Sequence, residues 1–498
     1  MKSRTASGAL LVTLSAVATA CSADVSGSDQ TSKRALDVGS ASQALEDGLD
    51  ARRSLAVTDD PILARFSLER VLTQLAKQSG VRSATALSLF HQWWDTQNPA
   101  PGLGLGAHCD DKVDPVMGTV LNGYPYLCRP APAEGVQAAC DPFAAESACA
   151  YVPIGLFNRF DLAPEDGSNC GEHRIVYGKK SGILDATDRA TLIFEATMPN
   201  PHPEQGLQGC RPLVDTWAGL TTEDDIEARA DALEQLYFVG IPEFPPVVAI
   251  DHYGDNFTGV GQIRINQLSH ATTGWSLREF KLRRTCLGST MSMPGRPICN
   301  AIRFVPVTDK TNAFGGLFDP ASTHPSAAAF VKYFPSQVKT LAGATVPDIS
   351  LSVPDLFDTG QSQASGTTAA EMKYLDQLTT SPSALRDGIQ TKLTSVASTL
   401  SPDDIVLRAQ ANTCAGCHRL NNNVGIGGGL VWPASLGFVH VSDRDTEVVD
   451  GVTRHPLSPA LIDVFLPHRK EVVEGFLKGD PAPTRGPKVS ISGGSTHG

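Results

Sequence analysis

The spacing of apolar positions changes twice along this chain. In "TDDPILARFSLERVLTQLAKQSG", Ile62, Leu63, Phe66, Leu68, Val71, Leu72 and Leu75 recur at the interval of an amphipathic helix. Asp and Pro open the stretch and Gly80 closes it. A second helix is predicted over 84–96, where Trp93 and Trp94 read as packing residues. From about 150 to 307 the period shortens to two. "GQIRINQ" and "SLREFKLR" alternate as half-buried antiparallel strands do, and "HRIVYG", "TLIFEATM" and "NAIRFVPV" are short and β-branched or aromatic. One helix, "TEDDIEARADALEQLYFVG", interrupts them. A helical pattern returns over 308–400 and continues to the closing stretch "SPALIDVFLPHRKEVVEGFLKG". The expected fold class is α+β and multidomain. A helical lead-in and antiparallel β-rich domain fills 56–307, a helical segment 308–400, and a small all-α domain 401–482, before a disordered tail over 483–498.

The N-terminus reads as an address. Lys2 and Arg4 precede the apolar run "GALLVTLSAVA", which is too short to span a membrane as a helix, and small residues lead to Cys21. This resembles a bacterial lipoprotein signal over 1–20, with Cys21 as the lipidated residue. The resemblance implies export and attachment to a membrane through lipid, in the periplasm or at the outer membrane of a Gram-negative-type bacterium. Residues 21–55, rich in Ser, Asp, Gly and Ala, read as a flexible tether. The net charge of -12 without basic runs argues against nucleic acid as a partner.

The chain has 11 cysteines. With Cys21 set aside for lipid, and Cys414 and Cys417 for the motif below, eight remain, all between 109 and 299. An even set in an exported chain predicts disulfides that staple the β-rich domain. Short loop closure suggests neighbour pairing: Cys109–Cys128, Cys140–Cys149, Cys170–Cys210 and Cys286–Cys299.

"ANTCAGCHRL" places Cys414, Cys417 and His418 as C-x-x-C-H. Covalent haem attachment needs two thiols for the two vinyl groups and an adjacent imidazole for the iron, and this spacing supplies them. The region 385–482, with a capped helix running into the motif, a Gly-rich loop and a final helix, resembles a class I c-type cytochrome domain. The resemblance implies one haem c bound at Cys414 and Cys417, with His418 as axial ligand. Such domains commonly supply a downstream methionine as sixth ligand, and none follows Met372 here. His440, expected on a strand, is the first candidate in its place, with His455 and His468 as alternatives. The iron could also be five-coordinate or ligated from another domain. Trp432 is expected to pack beside the haem, and Gly425, Gly427, Gly428 and Gly429 to let backbone approach its face.

These readings give three functions: electron transfer to a redox partner protein, a haem enzyme of peroxidase or oxygenase type with an open sixth position, or a non-haem surface lipoprotein in which C-x-x-C is a disulfide. A zinc site lacks a second Cys/His pair at suitable spacing. Elsewhere, "FNRFDLAPEDGSNCGEHRIVYG" concentrates Asn158, Arg159, Asp161, Glu165, Asp166, Glu172, His173 and Arg174. It reads first as an ion-pair network and second as a ligand site. Asp251, His252 and Asp255, and the pair His202 and Glu204, are weaker metal candidates.

Overall fold

A computed structural model describes residues 43, 46, 48–129, 134–144, 146–254, 259–269, 274–287, 298–366, 369–379 and 382–480. Cys21, Asp255 and the tail lie outside the described residues. So does most of the tether, but its end does not. Leu49 and Leu55 are buried, and Ala56–Val57 forms strand β1.

The period-two region builds an antiparallel sheet. Its strands are β1, β2 (Tyr151–Arg159), β3 (Asn169–Lys179), β4 (Asp188–Pro199), β5 (Gln262–Ser269), β6 (Gly274–Leu287) and β7 (Ile298–Val307), in that spatial order. A short β8 (Ser362–Gln363) adds beside β6. Register puts Leu156, Ile175, Phe194, Ile263 and Phe280 side by side across five strands. This apolar face is covered by α1 (Leu68–Ser79) and α2 (Ala86–Asp95), capped by the side chains of Ser67 and Thr85. Trp93 of α2 stacks on Phe304 at 4.7 Å between centroids and meets Phe194 and Phe280 edge-on. Both tryptophans of that helix are core, as their spacing suggests.

On the opposite face, neighbouring rows read Phe157–Arg174–Glu195–Gln262 and Val176–Ile193–Arg264–Glu279. A half-polar face like this would ordinarily meet water. Here the C-terminal third of the chain covers it.

All four neighbour disulfides form: Cys109–Cys128, Cys140–Cys149, Cys170–Cys210 and Cys286–Cys299. Each closes a loop, and closing loops of this kind typically adds about 2–4 kcal/mol of stability.

The expected division at 307 and 400 is not a division of the fold, since the described residues belong to one compact unit. Helix α7 (Leu466–Lys478) buries Val472, Val473 and Phe476 in the core of the sheet, with Phe476 4.7 Å from Phe160. The segments at 402–411 and 426–439 share a second core with Phe330, Phe334 and Leu393 from the 308–400 region. The C-terminal stretch buries its apolar faces in these two shared cores rather than in one of its own.

Candidate functional site

Helix α6 (Pro402–Ala411) starts with a capping box between Ser401 and Asp404, as its sequence suggests. After it the chain turns sharply. Thr413 Oγ1 accepts the Gly416 N–H at 3.0 Å and caps a new helical turn, which widens to a π-turn over Gly416–Leu420. A Cβ on Gly416 would lie 1.8 Å from the Gln410 carbonyl oxygen, so this position between the cysteines admits only glycine. The turn sets Cys414, Cys417 and His418 on one wall of a cavity of roughly 310 Å³. That size lies at the low end of ligand sites, about 300–1,000 Å³.

The facing wall is the half-polar face of the sheet. Val176 and Ile193 give it apolar surface, and Arg159, Arg174, Glu195 and Arg264 give it charge. The charges are paired. Arg159 grips Asp161 through Nε and Nη2, both at 2.9 Å. Arg174 reaches Glu172 at 2.6 Å and Glu195 at 3.1 Å, and Arg264 reaches Glu279 at 3.0 Å. Burial would raise the Asp161 and Glu172 carboxyls, but the arginines beside them hold both below the usual carboxylate range, Asp161 at about 2. The cluster in "FNRF…HRIVYG" is thus an ion-pair network and a cavity wall at once. Glu165 and Asp166 stand apart, exposed. His173 faces away and accepts the Trp217 indole N–H at 3.0 Å.

The cysteines are not joined to each other. Burial pushes both thiols up, Cys417 to about 11. The imidazoles are pushed the other way. Burial lowers His418 to about 4 and His440 well below its ordinary value, so both are neutral and can offer a lone pair. His418 Nδ1 lies 2.8 Å from the Phe438 carbonyl oxygen and must donate to it, which leaves the Nε2 lone pair free. His440 Nδ1 contacts Ser458 Oγ at 2.9 Å, and its Nε2 lies 3.4 Å from Cys417 Sγ. The two rings are 4.6 Å apart between centroids.

His440 is therefore the downstream histidine that reaches the cavity, though it sits in a loop rather than on a strand. His455 does not reach it. Its Nδ1 meets the Ser442 carbonyl and its Nε2 lies 3.4 Å from Asp60. His468 and Trp432 line a second hollow of roughly 190 Å³, which shares Asn412, Cys417, Phe465 and Arg469 with the first. The four glycines line neither hollow. Their loop is clamped instead to α6 by the buried Arg408, which donates to the carbonyls of Ile426, Gly427, Leu341 and Gly343 at 2.8–3.0 Å.

The loop that carries His440 is anchored to the sheet. Phe438 takes a left-handed backbone, φ 83°, and stacks on Trp275 of β6 at 4.4 Å. Arg189 of β4 holds Asp443.

Of the weaker candidates, His252 is buried against the Val247 carbonyl and Asp251 pairs with Arg284. His202 sits between Glu204 and Glu243 at the surface. Among the described residues, one trio of ligand atoms lies within 4.8 Å, and two of its members are the bonded Cys109 and Cys128.

The residues around the motif suit a c-type haem. Two unbonded thiols lie three positions apart on one helical turn. An imidazole has its Nδ1 engaged and its Nε2 open, and cations stand near for the carboxylates of the macrocycle. Sequence reading missed Glu195 and Arg264 on the sheet side of this arrangement and Arg469 on the last helix, none of which carried a motif. The signal for the two sheet residues was period-two placement, since 174, 195 and 264 fall on the face opposite the apolar row. No family model, curated protein or solved structure matches this chain.

Proposed function

We propose that this chain holds one covalently attached c-type haem and serves as an electron carrier for a redox partner protein. It would act at the periplasmic or outer-membrane location that the signal at Cys21 implies. The carrying observation is that Cys414, Cys417, His418 and His440 all line one walled cavity. Bound there, the haem would supply a one-electron couple at its iron.

The residues divide the work. Cys414 and Cys417 would anchor the group, and His418 would ligate through Nε2 while the Phe438 carbonyl fixes its tautomer. His440 offers the second nitrogen. His440 Nε2 lies 3.4 Å from Cys417 Sγ, so this imidazole would sit beside the anchoring sulfur. Val176 and Ile193 would give the bound group apolar contact, and the arginine-rich wall would counter negative charge on it.

A second reading keeps the attachment and changes the role of His440. The imidazole centroids are 4.6 Å apart and His440 Nδ1 contacts Ser458 Oγ, so His418 alone would hold the group as the rings now stand. With His440 uncommitted, the bound iron would be open to a small ligand, as a haem enzyme requires.

The test is expression with c-type haem maturation, followed by a pyridine haemochrome assay after denaturation. A c-type band is expected in the wild type and none in Cys414→Ala/Cys417→Ala. A folded wild type without covalent haem overturns the proposal. Unchanged spectra with carbon monoxide and cyanide favour the carrier, and shifted spectra favour the enzyme.

A further inference from the structure

The two imidazoles of the cavity are held by different chemistry. His418 Nδ1 faces a backbone carbonyl, 2.8 Å away, which can only accept. His440 Nδ1 faces the Ser458 hydroxyl, 2.9 Å away, which can also donate. Which atom carries the proton between them follows from what else each one touches.

Ser458 is fully buried. Its backbone N–H donates to the His440 carbonyl at 2.9 Å, so it holds His440 through main chain and side chain together. Its Oγ accepts the Leu461 N–H at 3.2 Å, inside the π-turn over Ala460–Phe465. The hydroxyl hydrogen then needs an acceptor. Among the described residues, His440 Nδ1 is the one other side-chain contact that Oγ makes. When the hydroxyl donates to Nδ1, the ring proton sits on Nε2, which lies 3.4 Å from Cys417 Sγ. Sulfur accepts weakly as thiol or thioether, so each of these donors finds an acceptor. In the other tautomer Nδ1–H donates to Oγ. The serine hydrogen is then buried without an acceptor, which is unfavourable. The loop that carries His440 is fixed on both sides, by Phe438 on Trp275 and by Asp443 on Arg189. Ser458 is the contact that acts on the imidazole itself.

We infer that Ser458 is a positioning residue that holds His440 in its Nε2–H tautomer, beside the Cys417 sulfur and withheld from metal ligation. The tautomer does not rest on the haem reading. Its consequence does. With haem attached as proposed above, Ser458 decides between the two roles of His440. While the hydroxyl donates to Nδ1, Nε2 has no lone pair to give and the iron is open to a small ligand. Without that donor the ring proton can sit on Nδ1, and Nε2 can ligate as the carrier reading requires.

The experiment has two arms, both on the full chain. In the first, the chain is made without haem maturation and with isotope-labelled histidine, and long-range proton–nitrogen correlation reads the ring tautomers. His440→Gln identifies the His440 signals. The Nε2–H pattern is expected for His440 and the Nδ1–H pattern for His418. An Nδ1–H pattern for His440 overturns the inference, whether or not haem attaches.

In the second arm, the haemochrome assay first measures covalent haem, and the loaded chain is compared as wild type, Ser458→Ala, Ser458→Thr and Ser458→Ala/His440→Ala. The wild type is expected to be high-spin when ferric and to bind carbon monoxide when ferrous. Ser458→Ala should raise the low-spin fraction and slow carbon monoxide binding about tenfold, as loss of one buried hydrogen bond allows. Ser458→Thr keeps the hydroxyl and should follow the wild type. The double variant should return to high spin. A wild type that is already low-spin, or a Ser458→Ala spectrum identical to it, overturns the inference. Absence of covalent haem from the wild type overturns the haem reading instead, and the first arm then decides the tautomer alone.

Discussion

His418 donates its Nδ1 proton to the carbonyl oxygen of Phe438, at 2.8 Å, and the residue that accepts it is itself strained. A phenylalanine at φ 83° costs about 1–3 kcal/mol. The surroundings that enforce it are visible. The ring is stacked on Trp275, and the same carbonyl also accepts the side-chain N–H of Asn266, at 2.8 Å. The strain aims one oxygen at one imidazole nitrogen. Asn266→Ala removes the second donor and is expected to lower stability by about 1–2 kcal/mol in urea unfolding. With haem bound, it should also alter the axial-ligand signals of His418 in paramagnetic NMR. An unchanged spectrum would mean that Phe438 is held by its ring alone.

The neighbouring anchor is ionic. Arg189 meets Asp443 through Nε at 2.9 Å and Nη2 at 2.7 Å, and both residues are buried. Removing one member of such a pair strands the other. Asp443→Ala is expected to cost about 3 kcal/mol or more. Replacing both, with Arg189→Met added, should recover a large part of that loss. A double-mutant cycle in guanidinium unfolding measures the coupling, and additive losses would deny it.

His173 predicts an acid limit to stability. Burial holds it down to about 3. Trp217 donates to its Nδ1, so the ring proton sits on Nε2, which has no partner. The unfolded chain takes up a proton near pH 6.5, and the native one does not until about 3. Stability from this group is complete above 6.5 and is lost as pH falls through that window, by up to about 1.4 kcal/mol per pH unit. His173→Gln should flatten the pH dependence of unfolding between 6 and 4 by about one proton.

Asp309 predicts the opposite slope. It is 1 % exposed, and neither carboxylate oxygen has a hydrogen-bond partner. Burial, with Glu279 beside it, raises its pKa well above the ordinary value. The native state keeps a proton that the unfolded chain releases above about pH 4, so this group weakens the fold as pH rises. Asp309→Asn is expected to stabilise the protein at pH 7 by about 1–3 kcal/mol and to leave it unchanged at pH 3. Equal melting temperatures at pH 7 would contradict the assignment.

Local chemistry was legible in the sequence, and long-range closure was not. Alternation in "GQIRINQ" placed β5, the helical patterns at 84–96 and before the motif placed two helices, and short loops gave all four disulfides. C-x-x-C-H marked one wall of the cavity because its residues are neighbours in the chain. The other wall pairs Arg174 with Glu195 and Arg264 with Glu279, contacts set by the register between strands, which the residue pattern of each strand alone does not give. The place of the C-terminal stretch in the fold was not legible either. A complete motif suggests a complete module, but Phe476 packs on Phe160, more than three hundred residues earlier.

That contact has a bearing on how the protein can be divided. A fragment ending near 400 would keep the sheet but open its arginine-lined face to water. A fragment beginning there would keep both thiols and both imidazoles but lose the surface opposite them. Neither piece holds the cavity, so the smallest transplantable unit runs across nearly all of the described residues. Gene fusions or shuffling that cut at the motif boundary would move the cysteines and leave the pocket behind.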